Sequence, residues 1–397
     1  MNTQHSSDKK RIAVIATVYT YLSHAQHFAD RFMVGYPYEG EWRSSQVKVV
    51  SLYVEQKPEG NQSQDRAREF GFEVYPTIAE ALRCDEGQLA VDGILIIGEH
   101  GDYPRNELDQ VLYPRYEFFK ACVQVFEEEG RSVPIYNDKH LSYSFEKAKE
   151  MVDDGSRLDF PILAGSSLPV TWRLPDLELP LDCQLEEALM IGVGGSDPMD
   201  YHALEAMQCM VERRQGGESG VKAVQLIEGE AVWGAEKDGR WSMDLLEAAL
   251  SRSDTPCGWP DEDGRTQDLI RTGELYRLVE NPVAYLIEHR DGFNSVLLML
   301  NGAVRDYCFA GRLNGQLVST QFLLTPTPNV TYSACLIRKI EEMYLTRKGP
   351  YPAERTLLVS GTLESCLKSR HSEYQRLETP HLDVAYQAPA ESHHARM

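Results

Sequence analysis

The stretch "IAVIATVYTYLSHAQH", Ile12 to His27, carries a strand, a turn and the start of a helix. Ile12-Ala13-Val14-Ile15-Ala16 is an apolar, β-branched run of the kind buried on both faces of a parallel sheet, and His24 to Met33 reads as the helix that follows it. A dinucleotide-binding turn between such elements carries G-x-G-x-x-G, because only glycine lets the backbone turn tightly and approach a pyrophosphate at the helix N-terminus. Here the turn is Thr17-Val18-Tyr19-Thr20-Tyr21-Leu22-Ser23, without a glycine. Its β-branched and aromatic side chains are expected to fill the space of the phosphate oxygens, so architecture and ligand have to be argued separately.

Working outward, the same alternation recurs. Val47 to Val54 reads as a second strand ending at Glu55, followed by a helix containing Asp65 to Phe70. "EVYPTIAEAL" offers a short strand and a capped helix, and Val91 to Ile97 an apolar strand ending at Gly98-Glu99-His100-Gly101. A helix from Tyr116 to Glu129 leads to a strand, Ser132 to Tyr136, that ends at Asn137-Asp138-Lys139-His140. Strands alternating with helices imply a doubly wound parallel sheet, whose ligands bind beyond the carboxyl ends of the strands. After about residue 185 longer alternating segments appear: Val221 to Ile227, Ala284 to His289, Ser295 to Asn301 and Gln316 to Leu324. Turns such as Arg290-Asp291-Gly292 and Asn314-Gly315 join several of them as hairpins. The expected division is therefore residues 1–150 as a parallel-sheet domain and 151–397 as an α+β domain. The second domain would hold a large, mostly antiparallel sheet with helices around His202 to Arg213 and Thr331 to Leu345. The first ten residues and the closing "APAESHHARM" read as mobile tails.

The bulk composition narrows the class of partner. The chain has 397 residues and a formal net charge of -21, which argues against nucleic acid and against an anionic membrane surface. Its eight cysteines form no C-x-x-C pair and no zinc spacing, so they read as reduced, mostly buried thiols. No stretch approaches the apolar length of a membrane span, and the expected compartment is the cytoplasm. An open antiparallel sheet face in the second domain would favour a homo-oligomer.

Several segments in fixed order carry a resemblance. "VYPTIAEAL" stands before the fourth strand, "IYNDKHLSYSFEKAKEMV" where an E-K-P-L motif and helix are expected, and "DYHALEAMQCMV" as a histidine-bearing helix. "ERTLLVSGTLESCLKSRHSEY" follows as a C-terminal helix. Together they resemble the glucose-fructose oxidoreductase, inositol dehydrogenase and rhizopine-catabolism family, Gfo/Idh/MocA. The resemblance implies a Rossmann-like N-terminal domain, a sugar- or cyclitol-like substrate, and NAD or NADP as cofactor. It matches Lys139 to the lysine of E-K-P and His202 to the histidine near the reacting hydroxyl, both as proton-transfer groups, with Asp138 in the place of the glutamate. Asp197 and Asp200 flank the position where an aspartate often precedes that histidine.

The topology gathers further candidates at one edge of the parallel sheet. His24 and His27 follow the first strand, Glu99 and His100 the fourth, and Asp138, Lys139 and His140 the fifth, with His202 expected to join from the second domain. Imidazole and carboxylate suit zinc, manganese or iron, so His24, His27, Glu99, His100 and His140 form a candidate set for a divalent metal. In "EHGDYPRNELDQVLYPRYEFFK", Tyr103, Arg105 and Asn106 supply donors and an aromatic face fit for a sugar, carboxylate or phosphate, alongside Glu99 and His100. Trp172 and Arg173 either line a substrate wall or link the two domains. Glu55 sits where an acid would hold a ribose hydroxyl, and Thr17 offers at most a hydroxyl to a cofactor. The expected activity is that of an oxidoreductase on a sugar, cyclitol or related polyol. The alternative is a non-redox, metal-assisted lyase, hydratase or hydrolase acting on a keto-sugar in the same cleft. On either reading the turn predicts that NAD or NADP binds weakly or in a displaced pose.

Overall fold

The computed structural model describes residues 9–195, 197–254, 269–325 and 330–396. The chain divides into two compact units. The first comprises Met1–Pro104, Val111–Ser167 and Thr325–Ala353, and the second Arg105–Gln110, Leu168–Leu324 and Glu354–Met397.

In chain order, the first unit begins with β1 (Lys10–Ala16), α1 (His24–Val34), a small hairpin of β2 (Tyr36–Tyr38) and β3 (Glu41–Arg43), and β4 (Val47–Val54). It continues through α2 (Ser63–Phe70), β5 (Glu73–Tyr75), α3 (Ile78–Arg83), β6 (Gly93–Ile97), α4 (Arg115–Glu129), β7 (Ile135–Asp138), α5 (Phe145–Arg157) and β8 (Ile162–Gly165). The six long-range strands pair in parallel in the order β5-β4-β1-β6-β7-β8. The order reverses direction at β1, so the crevice of a doubly wound sheet opens where β1, β4 and β6 end. The expected strand and helix of the opening stretch are both present, and Ser23 caps α1 by accepting from the Gln26 amide. The expected domain boundary near residue 150 falls inside α5.

The second unit opens with β9 (Trp172–Leu174), β10 (Leu185–Gly192), α6 (Asp197–Val211), β11 (Val221–Glu228), α7 (Glu230–Lys237), α8 (Met243–Leu250) and α9 (Glu274–Leu278). Strands β12 (Val283–His289), β13 (Asn294–Met299), β14 (Tyr307–Leu313) and β15 (Gln316–Leu323) follow. Then comes α10 (Ser333–Thr346), which belongs to the first unit, and finally α11 (Ala353–His371) and β16 (Leu377–Glu378). The eight-stranded sheet runs β16-β11-β12-β13-β10-β14-β15-β9 and is antiparallel apart from the β10–β13 pair.

Three expectations are corrected here. The helix near residues 331–345 packs in the first unit rather than the second: Arg31 of α1 donates to Ser333 Oγ at 2.6 Å, and the Tyr344 hydroxyl donates to the Ile94 carbonyl at 2.7 Å. A Cβ on Gly93 would lie 2.5 Å from the Tyr344 ring, so glycine makes room for this returning helix. The sheet face expected to be open is covered by the chain itself, since Leu189, Ile191, Ala284, Leu286, Val296 and Leu298 are buried together with Val232, Leu245 and Leu246 of α7 and α8. The closing residues are tied down, because His394 bonds to Asp176 at 2.5 Å and the Ala395 amide donates to the Val170 carbonyl at 2.9 Å. Of the expected N-terminal tail, residues 1–8 lie outside the described residues. No described helix is long and apolar enough to cross a membrane.

Candidate functional site

The carboxyl ends of the parallel strands in the first unit bring most of the expected residues together. At the end of β7, Lys139 has φ +61°, and at the end of β6, His100 has φ +66°. Non-glycine residues occupy this left-handed region rarely, and it recurs where side chains are presented at functional loops. The Lys139 amide donates to the Gly165 carbonyl at 3.0 Å, and Asn137 Nδ2 donates to the His140 carbonyl at 3.1 Å. These bonds fix the Asp138-Lys139-His140 turn.

Two ion pairs form the centre. Lys139 Nζ lies 3.2 Å from Glu99 Oε1, and Arg115, the first residue of α4, reaches Glu99 Oε2. All three side chains are at most 5% exposed. Burial by itself would raise the Glu99 pKa, but the charges of Lys139 and then Arg115 outweigh it and hold the carboxyl well below the usual range. Beside this trio, His24 Nδ1 lies 2.7 Å from Asp138 Oδ2, with Asp138 1% and His24 23% exposed. A carboxylate accepting from Nδ1–H leaves the lone pair of the neutral ring on Nε2, which is the arrangement of an oriented general base. The Tyr136 hydroxyl donates to the Gly165 carbonyl at 2.9 Å and lies 3.3 Å from Asp138 Oδ1. The His24 ring stands edge-on to His100 at 5.1 Å and stacks against His27 at 6.0 Å. Burial, then the nearby His24, lowers His27 to about 4, so it is neutral at pH 7. His140 is fully buried, with Nε2 3.3 Å from Arg115 Nη1. Burial and the guanidinium keep it well below its usual pKa, and Nε2 serves as acceptor.

The expected metal set is not assembled. Among the described residues no three His, Cys, Asp or Glu side chains are grouped to hold an ion. The reason lies in the pairings: both Glu99 oxygens meet cations, Asp138 Oδ2 is taken by His24, and His140 Nε2 meets a guanidinium. A second cation would be repelled by Lys139 and Arg115.

The glycine-free turn differs from expectation in an instructive way. Val18 and Tyr19 are buried, with the Tyr19 hydroxyl donating to Asp30 Oδ1 at 2.6 Å, so they point into the core and not across the turn. What fills the turn is its own hydrogen bonding. The Leu22 amide donates to Gln26 Oε1 at 2.6 Å, while Ser23 Oγ accepts from the Thr20 amide at 3.1 Å and the Gln26 amide at 3.4 Å. Thr17, expected as a cofactor contact, donates its hydroxyl to the Glu99 carbonyl at 2.7 Å. Glu55, expected on a ribose, accepts from the Tyr103 hydroxyl. These residues do not offer the free backbone amides that hold a pyrophosphate.

The remaining candidates lie in the second unit. His202 sits half-buried on α6, with its ring 6.4 Å from that of Tyr307. Asp200 accepts from the Tyr285 hydroxyl at 2.5 Å and the Gly195 amide at 2.8 Å, and Asp197 accepts from Gln110 at 2.9 Å. Asn106 folds its own loop by accepting from the Leu108 and Gln110 amides at 3.0 Å each, and Arg105 reaches the Asp109 carbonyl at 2.7 Å. Trp172 is part of edge strand β9. Arg173 is fully buried, donating to the Leu177 carbonyl at 2.9 Å and lying over the Phe322 ring, a placement that holds structure together. Arg115 was not singled out as a counter-ion; the available signal is an arginine at the start of the helix that follows the loop after β6.

No family model matches the chain, and no curated protein matches it. Solved structures do. GenD2 from gentamicin A biosynthesis, determined in complex with NAD, superimposes with a TM-score of 0.57 at 14% identity over 96% of this chain and 99% of its own. The fold is that of known dehydrogenases. Myo-inositol dehydrogenase from Lactobacillus casei, determined with NAD(H) and myo-inositol, gives 0.56 at 11% identity over 93% and 96% of the two chains. A probable dehydrogenase from Thermotoga maritima gives 0.55 at 12% identity over 94% and 99%. The architecture expected from the resemblance, a Rossmann-like parallel sheet followed by a large mostly antiparallel one, is thus the one found.

Proposed function

We propose that this chain is an enzyme of the oxidoreductase scaffold that acts on a sugar, cyclitol or related polyol. In this reading the first unit supplies the proton-transfer groups. The observation that carries it is the pairing of His24 with Asp138 beside Lys139 with Glu99 at the strand ends, on a fold shared with sugar and inositol dehydrogenases. His24 Nε2, oriented through Nδ1 by Asp138, takes or returns the proton of a substrate hydroxyl. Lys139, paired with Glu99 at 3.2 Å, binds the oxygen on which negative charge develops and lowers its energy. Arg115 and His140 hold Glu99 and the turn in register. His202 is the second unit's candidate for proton transfer.

The neighbours determined with NAD support hydride exchange with a nicotinamide as the redox half of this reaction. A nicotinamide would accept or deliver hydride, yet the turn does not fit its pyrophosphate. That observation favours a second reading, in which the same base and cation act on a keto-sugar without net redox change, by proton removal next to the carbonyl. An assay of sugars and cyclitols in alcohol and keto forms, with and without NAD or NADP and followed by NMR of the products, separates the two. Turnover of a polyol only with nicotinamide supports the first, turnover of a keto form without it supports the second, and no turnover of any member refutes both.

A further inference from the structure

We infer that the crevice over the ends of β1, β4 and β6 is closed to a dinucleotide by the chain's own bonds, so that its ligand is the compact sugar-like substrate alone. The inference rests on the polyol reading above and narrows what its site can hold.

Three features on one sheet edge combine. The first is the helix start. Four amides that a pyrophosphate would need, those of Thr20, Leu22, Ser23 and Gln26, are engaged by Ser23 Oγ, Gln26 Oε1 or the Thr20 carbonyl. An anion entering there has to break these bonds and replace each of them. The second is a clasp from the loop after β6 to the loop after β4. Gln56 accepts from the Asp102 amide at 2.9 Å and donates to the Asp102 carbonyl at 3.0 Å, a reciprocal pair, while Tyr103 donates to Glu55. Gly101, with φ +104°, lets the loop fold so closely that a Cβ there would lie 2.7 Å from the Tyr103 ring. The third is the anchoring of this loop on β1, where the Thr17 hydroxyl donates to the Glu99 carbonyl and the Gln56 amide donates to the Thr17 carbonyl at 2.8 Å. In a doubly wound sheet the adenosine half of a dinucleotide lies over this switch point, with a strand-end acid on its ribose. Here that acid, Glu55, already has its partner, and the loop it holds crosses the same ground.

Behind the clasp, His24, Asp138, Lys139 and Glu99 stay grouped around the end of β7. Their two cation-to-carboxylate and imidazole-to-carboxylate pairs suit a neutral, hydroxyl-rich ring, which exchanges hydrogen bonds without adding charge.

Calorimetric titration of the full chain with NAD, NADH, NADP and NADPH, each to about 1 mM, tests this directly. The expected result is no saturable heat for any of the four and an unchanged melting temperature. A low-micromolar dissociation constant for any of them overturns the inference. The same samples are melted with the polyol panel. A polyol-dependent rise in melting temperature together with silent dinucleotides supports both statements. Tight dinucleotide binding with a polyol shift overturns the inference and leaves the polyol reading standing. Absence of any polyol shift counts against the compact ligand and against the reading on which it rests.

Discussion

The two units handle buried charge in different ways. In the second, Glu218 is enclosed by Arg214 at 3.0 Å, His289 at 3.1 Å and Gln208 at 2.7 Å, while Glu212 pairs with Arg355 and accepts from Tyr386 at 2.8 Å. These groups lie inside the unit with every partner supplied by the protein. In the first, Glu99, Lys139, Asp138 and His24 sit at strand ends, with His24 partly open to solvent and two backbones held in the left-handed region. A closed network stabilises one structure, whereas a network with one accessible, oriented imidazole can exchange a proton. On the proposed reading, the first unit's open network carries proton transfer and the second unit's closed network around Glu218 and Glu212 serves architecture.

The contrast breaks most visibly under substitutions that should separate stability from activity. Glu218→Ala strips the partner from Arg214 and His289 and is expected to cost about 3–5 kcal/mol in denaturant unfolding, with turnover per folded molecule unchanged. Loss of turnover without loss of stability would reverse the assignment. Asp138→Asn turns an amide toward His24 Nδ1 and places the ring proton on Nε2, so kcat should fall on the order of a hundredfold while the melting temperature stays within a few degrees. An unimpaired kcat would remove the His24 pair from the reaction.

Acid should sharpen the comparison next. His27 titrates at about 4 in the folded chain, and an unfolded histidine near 6.5. Between those values the unfolded chain binds a proton that the folded one refuses, so stability is complete above about pH 6.5 and falls as the pH drops toward 4. Glu99, whose pKa is held down by Lys139 and Arg115, adds a further loss below the ordinary carboxylate range. The melting temperature should fall by a few degrees between about pH 7 and 5, and His27→Gln should remove part of that slope, the rest belonging to His100, His140 and His394, which burial also lowers. An unchanged slope in the variant would contradict the cause given. The smallest effect belongs to the exposed clasp: Tyr103→Phe should cost no more than about 1 kcal/mol in stability. A loss several times larger would mean that the clasp holds the first unit together.

Much of the fold was legible in the sequence. Strands buried on both faces read as continuous apolar runs, which is why Val47–Val54 was located without error and β1 and β6 to within two residues. Helix α1 carried its Ser23 cap. The strands Leu185–Gly192 and Tyr307–Leu313 were missed, since their pairing is settled by neighbours far away in the chain. The helices covering the second sheet were missed too, and with them the closure of its face. Residue types at strand ends identified the cluster, but spacing along the chain carries no information on who pairs with whom. Glu99 and His140 therefore read as metal ligands when their partners are Lys139 and Arg115. The turn's lack of glycine was legible, but what occupies it was not: Tyr19 points inward, and Ser23 and Gln26 take the amides.

Whether the paired groups at the β7 end carry the reaction is tested most directly by Lys139→Met. Methionine keeps most of the side chain's length without its charge, and Arg115 still pairs with Glu99, so the variant should fold with a lowered melting temperature, and turnover is compared per folded molecule. On the sugar or cyclitol turned over best, whether alcohol or keto form, kcat is expected to fall on the order of a hundredfold or more. Turnover near the parent's in a correctly folded Lys139→Met protein would contradict that role.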